Sequence, residues 1–124
     1  MKIQESAENY LETILVLQQR KGSVRSIDIA NELEFSKPSV SVAMKNLRLN
    51  GYIEVDSAGL IRLLPEGQQI AEAVLEKHKM MTQFLVALGV TPEVAAEDAC
   101  RIEHVLSNES FEAIKDHVKK YMQI

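Results

Sequence analysis

The sequence predicts a mainly α-helical chain with one small β-hairpin near its middle. Three observations lead there. The 124 residues are 46% apolar but include no Trp, three Phe and three Tyr, so the core is aliphatic. Apolar residues recur at helical spacing through most of the chain. One stretch alone, residues 52–63, reads as paired strands, around Ser57-Ala58-Gly59. The order of these signals divides the chain into an N-terminal domain, 1–64, and a helical domain, 65–124.

Residues 5–19 read as the first helix, with Ala7, Tyr10, Leu11, Ile14, Leu15 and Leu17 in phase. Asn9 and Glu12 share a face, three residues apart. Gly22 ends the helix. Ser26–Leu33 reads as a short helix, with Ser26 as N-cap, Asp28 in the first turn and Ile27, Ala30 and Leu33 inward. Glu34-Phe35 is a turn. Ser36 caps the next helix, which Lys37-Pro38 begins, and Val40, Ala43, Met44 and Leu47 face inward. Gly51 closes it.

Two short helices joined by a tight turn form a helix-turn-helix pattern. The outward face of the second carries Ser36, Lys37, Ser39, Ser41, Lys45 and Arg48. Small hydroxyl and basic groups suit phosphates and base edges and permit close approach to a major groove. Arg25 and Pro38 complete the candidate DNA-contact set. An ordinary helical hairpin with a solvated face is the alternative. The hairpin that follows at once favours DNA, because it turns the unit into a winged helix. Arg62 is the one basic residue that this wing offers, and its Ala58-Gly59 tip is poor in charge, so the wing is expected to add little affinity.

Charge points the same way. The net charge is −4, which argues against a uniformly basic nucleic-acid binder. Within residues 20–50, the six cations Arg20, Lys21, Arg25, Lys37, Lys45 and Arg48 face three anions, Asp28, Glu32 and Glu34, leaving a local excess of three positive charges. A basic segment in an acidic chain fits DNA contact on one face and cation binding elsewhere.

Pro65 opens a long helix, to about Leu88, with Gly67 as a weak point in its first turn. Residues 70, 74, 81, 85 and 88 line one side, and His78 falls among them. A lone His on an apolar face is more often a core residue than a ligand. Thr91-Pro92-Glu93 starts the next helix, which runs to about Leu106. It carries the only cysteine, Cys100, with Glu103 and His104 at i+3 and i+4. On a helix these lie on one face, and a thiolate, a carboxylate and an imidazole there are three transition-metal ligands. The alternative is a solvated Glu and His beside a buried Cys. Asn108 or Ser110 starts a last helix, with Phe111, Ile114, Val118 and Tyr121 inward and Lys115, Lys119 and Lys120 toward its C-terminus. One cysteine rules out an internal disulfide. The N-terminus has no signal core and no run of about 18 apolar residues occurs, so a soluble, cytoplasmic chain with no membrane partner is expected.

This order of elements, with Asp98-Ala-Cys-Arg-Ile-Glu-His-Val-Leu-Ser107 and Lys37-Pro38-Ser39-Val40-Ser41, resembles the metal-dependent repressors of the iron-dependent (diphtheria toxin repressor) and manganese transport regulator family. The resemblance covers nearly the whole chain. It implies a winged helix-turn-helix followed by a helical metal-binding and dimerisation domain. It also implies a homodimer that binds a palindromic operator in double-stranded DNA when Fe(II) or Mn(II) is the corepressor, and that has no organic substrate. By position, the implied metal ligands are Cys100, Glu103, His104 and His78, with Asn9 and Glu12 from the first helix. The SH3-like domain of longer members has no counterpart before the chain stops at Ile124.

The sequence departs from both branches. Position 9 is Met in the iron branch and Asp in the manganese branch, but Asn here. Glu12 matches the manganese branch and Cys100 the iron branch. An ancillary site of the iron branch would need a Glu and a His where Thr82 and Ala96 stand, so a second metal would have to use other groups, such as Glu12 with His78. The thiolate favours Fe(II), Co(II), Ni(II) or Zn(II), while the carboxylates and Asn favour Mn(II). Zn(II), Ni(II) or Co(II) can therefore fill the site in vitro.

The expected mechanism is linkage. Metal and DNA both bind the ordered form better, so each strengthens the other. Two recognition helices must stand about 34 Å apart, one DNA turn, or a multiple of it, which requires a dimer. Phe84, Leu85, Leu88, Val90 and Val94 are the candidate dimer residues, with intrachain core as the alternative. Two other classes compete. A winged-helix regulator could use Cys100 as a redox sensor. A small metalloenzyme would need a nucleophile and base beyond the metal ligands, and none is evident.

Overall fold

The computed structural model describes residues 5–122. Among them, helix α1 (Glu5–Lys21), α2 (Ser26–Leu33) and α3 (Lys37–Leu49) precede strands β1 (Ile53–Val55) and β2 (Ile61–Leu63). Helices α4 (Pro65–Ala87), α5 (Pro92–Ile102) and α6 (Asn108–Tyr121) follow. The chain divides into two compact units, and the division falls inside α4, between Glu72 and Ala73.

In the first unit α1 packs on α2, α3 and β2, and α3 packs on α2 and β1. Leu11, Ile14, Leu15 and Leu17 of α1 meet a core completed by Val24, Ile29, Val40, Met44, Leu47, Ile53 and Ile61, all buried. The inner stripe of α2 differs from the expected one. Ile29 is fully buried and Ile27 is 38% exposed. At about 100° per residue, Ile29, Ala30 and Leu33 share a face that Ile27 leaves. The N-cap of α2 is Arg25 rather than Ser26, and the Asp28 carboxylate accepts the Arg25 backbone N–H at 2.9 Å.

The α2–α3 turn closes through Glu34, which adopts a left-handed conformation (φ 57°). Ser36 caps α3 as expected, its hydroxyl oxygen accepting the Ser39 N–H at 3.3 Å. The strands pair antiparallel with Ile53 opposite Leu63, Glu54 opposite Arg62 and Val55 opposite Ile61. The Ile61 N–H also donates to the Val24 carbonyl at 2.8 Å, so the α1–α2 link borders the hairpin.

Gly67 proves to be a packing requirement. A Cβ on it would stand 2.1 Å from the Tyr52 carbonyl oxygen. No side chain fits there, so the opening of α4 lies directly on the base of the hairpin and belongs to the first unit.

In the second unit Val74, Leu75, Met81, Ala95, Ala99, Phe111 and Val118 are buried. Lys115 pairs with Glu76 at 2.6 Å, and Lys77 donates to the Leu106 carbonyl at 3.3 Å. Both ammonium groups lie over the Phe111 ring. Helix α5 stops at Ile102, short of the expected Leu106. The Val105 N–H turns back to the Ile102 carbonyl at 3.0 Å, tightening the chain out of the helix. Ser107 caps α6 by accepting the Ser110 N–H at 3.1 Å. Thr91 occupies the N-cap position of α5 but makes no side-chain capping bond. Tyr121, expected inward, is 71% exposed at the end of α6, with its ring against His117.

Candidate functional site

In the first unit the outward face of α3 presents Lys37, Pro38, Ser39, Ser41, Lys45 and Arg48, all exposed. Arg20 pairs with Glu32 at 2.8 Å and Lys21 pairs with Asp28, both between α1 and α2. The cationic character of the α3 face therefore comes from Lys37, Lys45 and Arg48. Val42 also lies on this face, 60% exposed, and the sequence reading missed it. The alternation Ser39-Val40-Ser41-Val42 makes both valines look like core. Helical phase separates them, because two residues turn the chain about 200°. Ser26 and Ile27 were missed as well. With Lys37 and Ser41 they line a cavity of about 270 Å³ whose hydroxyls and ammonium suit a phosphate. Arg25 sits apart, its guanidinium donating to the Ala58 carbonyl at the hairpin tip, 2.6 Å away. Arg62 lies 3.9 Å from the opposed Glu54.

The second unit gathers a different chemistry. Glu103 holds the C-cap position of α5 and His104 follows it in the turn. The Glu103 side chain is 0% exposed and that of His104 3%. From α4, His78 Nδ1 stands 2.9 Å from Glu103 Oε2, and His104 Nε2 stands 3.3 Å from Oε1. These are ion-pair distances, but they lack hydrogen-bond geometry. His78 Nδ1 and both Glu103 oxygens are buried and make no hydrogen bond. An ionised carboxylate kept from water and from donors costs several kcal/mol unless a cation balances it. Two carboxylate oxygens and the His78 ring nitrogen without a hydrogen bond, with the His104 ring nitrogen 3.3 Å from Oε1, are donor atoms of the kind that suits one divalent transition metal. These residues fit such an ion.

The other candidate residues lie as follows. Cys100 is exposed on α5, one turn before the buried Glu103. On α1, Asn9 is half-buried, with its carbonyl accepting the Thr13 hydroxyl at 2.8 Å, and Glu12 is buried. The Thr82 hydroxyl donates to the His78 carbonyl at 2.7 Å. Phe84, Leu85 and Val90 are half-buried. Leu88, Val94 and the unanticipated Val86 are exposed.

Residues 2–59 match a family model described as the iron dependent repressor N-terminal DNA binding domain. Residues 64–123 match the iron dependent repressor metal binding and dimerisation domain. The transcriptional regulator MntR of Escherichia coli is 34% identical over 117 residues, spanning 94% of this chain and 76% of that protein. The chain belongs to the iron-dependent repressor family. This is a family of metal-dependent transcriptional repressors, not of enzymes. Among solved structures, the manganese regulator SloR matches this repressor-family chain with a TM-score of 0.81 at 28% identity, over 96% of this chain and 55% of SloR. The T. acidophilum IdeR structure matches at 0.78 and 26% identity, over 98% of this chain and 55% of IdeR. The chain thus spans about half the length of these two relatives. Their winged helix and helical dimerisation domain are the fold described above. No described helix is long and apolar enough to cross a membrane.

Proposed function

We propose that this chain represses metal-ion homeostasis genes by binding a palindromic operator as a cytoplasmic homodimer, with Fe(II) or Mn(II) as corepressor. One observation carries the reading: the buried Glu103 carboxylate makes no hydrogen bond and stands beside ring nitrogens of His78 and His104. Those three residues are the proposed core of the metal site. Cys100, Asn9 and Glu12 are proposed as further ligands on family resemblance, and burial of Glu12 is in keeping with that role. A bound divalent ion would supply the positive charge that Glu103 lacks.

The chain's own residues do the rest. His78 and His104 would offer ring-nitrogen lone pairs, and Glu103 its carboxylate oxygens, to that ion. The resemblance implies that α1 adds ligands to this set, and a metal so held would order the chain that joins them. Ordering α1 orders the helix-turn-helix that packs on it, and so the reading face of α3. Lys37, Lys45 and Arg48 then meet phosphates, and Ser39 and Ser41 meet base edges. The exposed Leu88 and Val94, with Phe84, Leu85 and Val90 beside them, are the proposed dimer surface.

The choice between the metals rests on chemistry and relatives. SloR is a manganese regulator and the family models are of iron-dependent repressors. The test is anaerobic titration of duplex binding with Fe(II), Mn(II) and chelator, on an operator selected from random duplexes. Chelation should abolish specific binding and one of the two metals should restore it. Binding indifferent to chelation would overturn the proposal.

A further inference from the structure

We infer that Arg25 serves operator recognition as a positioning residue that fixes the wing, and not as a phosphate contact. Its guanidinium donates from Nη1 to the Ala58 carbonyl at 2.6 Å, and a Cβ placed on Gly59 would lie 3.7 Å from that nitrogen. The arginine is itself held from behind. Its backbone N–H donates to Asp28, and Asp28 is clasped by Lys21 of α1. At the other end, Asp56 folds the tip, its Oδ1 accepting the N–H groups of Ala58 and Leu60, each at 2.9 Å. The line Lys21–Asp28–Arg25–Ala58 therefore runs from α1 through the start of α2 to the tip of the hairpin.

Two further facts support the role. The tip carries no cation of its own, so its backbone and small side chains must be placed accurately if they are to meet DNA at all. The register is also anchored beside Arg25, because the Ile61 N–H bonds the Val24 carbonyl at 2.8 Å. Arg25 and that bond hold the hairpin at its tip and at β2.

The inference rests on DNA binding by the winged helix, and its test separates the two. In the full-length protein, Arg25→Ala should speed hydrogen exchange at Ala58, Gly59 and Leu60 several-fold, with or without DNA. In the metal-loaded protein it should weaken operator binding roughly three- to ten-fold, as loss of one exposed charge-assisted hydrogen bond would. The slope of log K against log salt should stay at the wild-type value. In the same assay Lys45→Ala should lower that slope by about 0.9 per protomer. A similar drop in slope for Arg25→Ala would make Arg25 a phosphate contact and overturn the inference. Unchanged exchange at the tip, or unchanged affinity, would overturn it as well. Absence of DNA binding by the wild-type protein would instead sink the proposed function, while the exchange measurement would still decide whether Arg25 holds the wing.

Discussion

His78 Nδ1 stands 2.9 Å from Glu103 Oε2, with neither atom making a hydrogen bond. A structural ion pair would align a proton between them. Here no proton is aligned between them, and the buried carboxylate makes no hydrogen bond.

Glu103→Gln should therefore stabilise the metal-free protein by about 1–3 kcal/mol, since it removes an unbalanced buried charge. The same variant should lose the stabilisation that metal gives the wild type. Thermal unfolding with chelator and with Mn(II) or Fe(II) reads both effects. A lower melting temperature in chelator would mean that Glu103 is satisfied without metal.

Gly67→Ala should destabilise the first unit by about 1–3 kcal/mol or more, because the new Cβ collides with the Tyr52 carbonyl. Helix propensity alone favours the substitution by about 1 kcal/mol, so the sign of the change decides between packing and propensity. Urea unfolding followed by far-ultraviolet circular dichroism gives that sign.

These two positions show what could and could not be read from sequence. Ser36-Lys37-Pro38-Ser39 announced α3 correctly, because capping is chemistry within four residues. The family resemblance led to Glu103, His104 and His78 as a set. Glu103 and His104 stand at the turn after α5, where the Ile102 carbonyl accepts the Val105 N–H in a tightened last turn. Helical spacing placed Cys100 on the same face as Glu103, but it is exposed where Glu103 is buried. Gly67 looked like a weak point because its reason lies fifteen residues away, at Tyr52. The bond from Arg25 to the Ala58 carbonyl could not be read either, because a backbone carbonyl has no side-chain signature. Local rules found what local chemistry decides, and missed what depends on a distant backbone.

Val42→Ser should shift base preference while leaving the salt dependence of binding unchanged, since Val42 offers a methyl surface and no charge. Where a thymine methyl faces Val42 in the operator, the loss should change discrimination at that base pair by about 1 kcal/mol. Competition among single-base operator variants measures it. Equal weakening on every sequence would place Val42 outside the base-reading face.

Asp28 gives the winged unit an acid limit. The Lys21 ammonium and then the Arg25 backbone N–H hold its carboxyl below the usual range. A carboxylate with a lowered folded-state value contributes stability above its unfolded value of about 3.9 and loses it as pH falls through the folded one. Asp28→Asn should therefore be less stable than wild type at neutral pH, with the gap closing below about pH 4. Urea midpoints at neutral and acid pH test this, and a gap that persists in acid would remove Asp28 from the account.

The bond from the Ile61 N–H to the Val24 carbonyl has a consequence for how quickly the protein finds DNA. A two-stranded ribbon standing alone is marginal in water. This one leans on the α1–α2 link, which should keep it formed between encounters. Association then needs no loop to freeze at the duplex, and its rate should follow charge steering and salt rather than a slow rearrangement after collision.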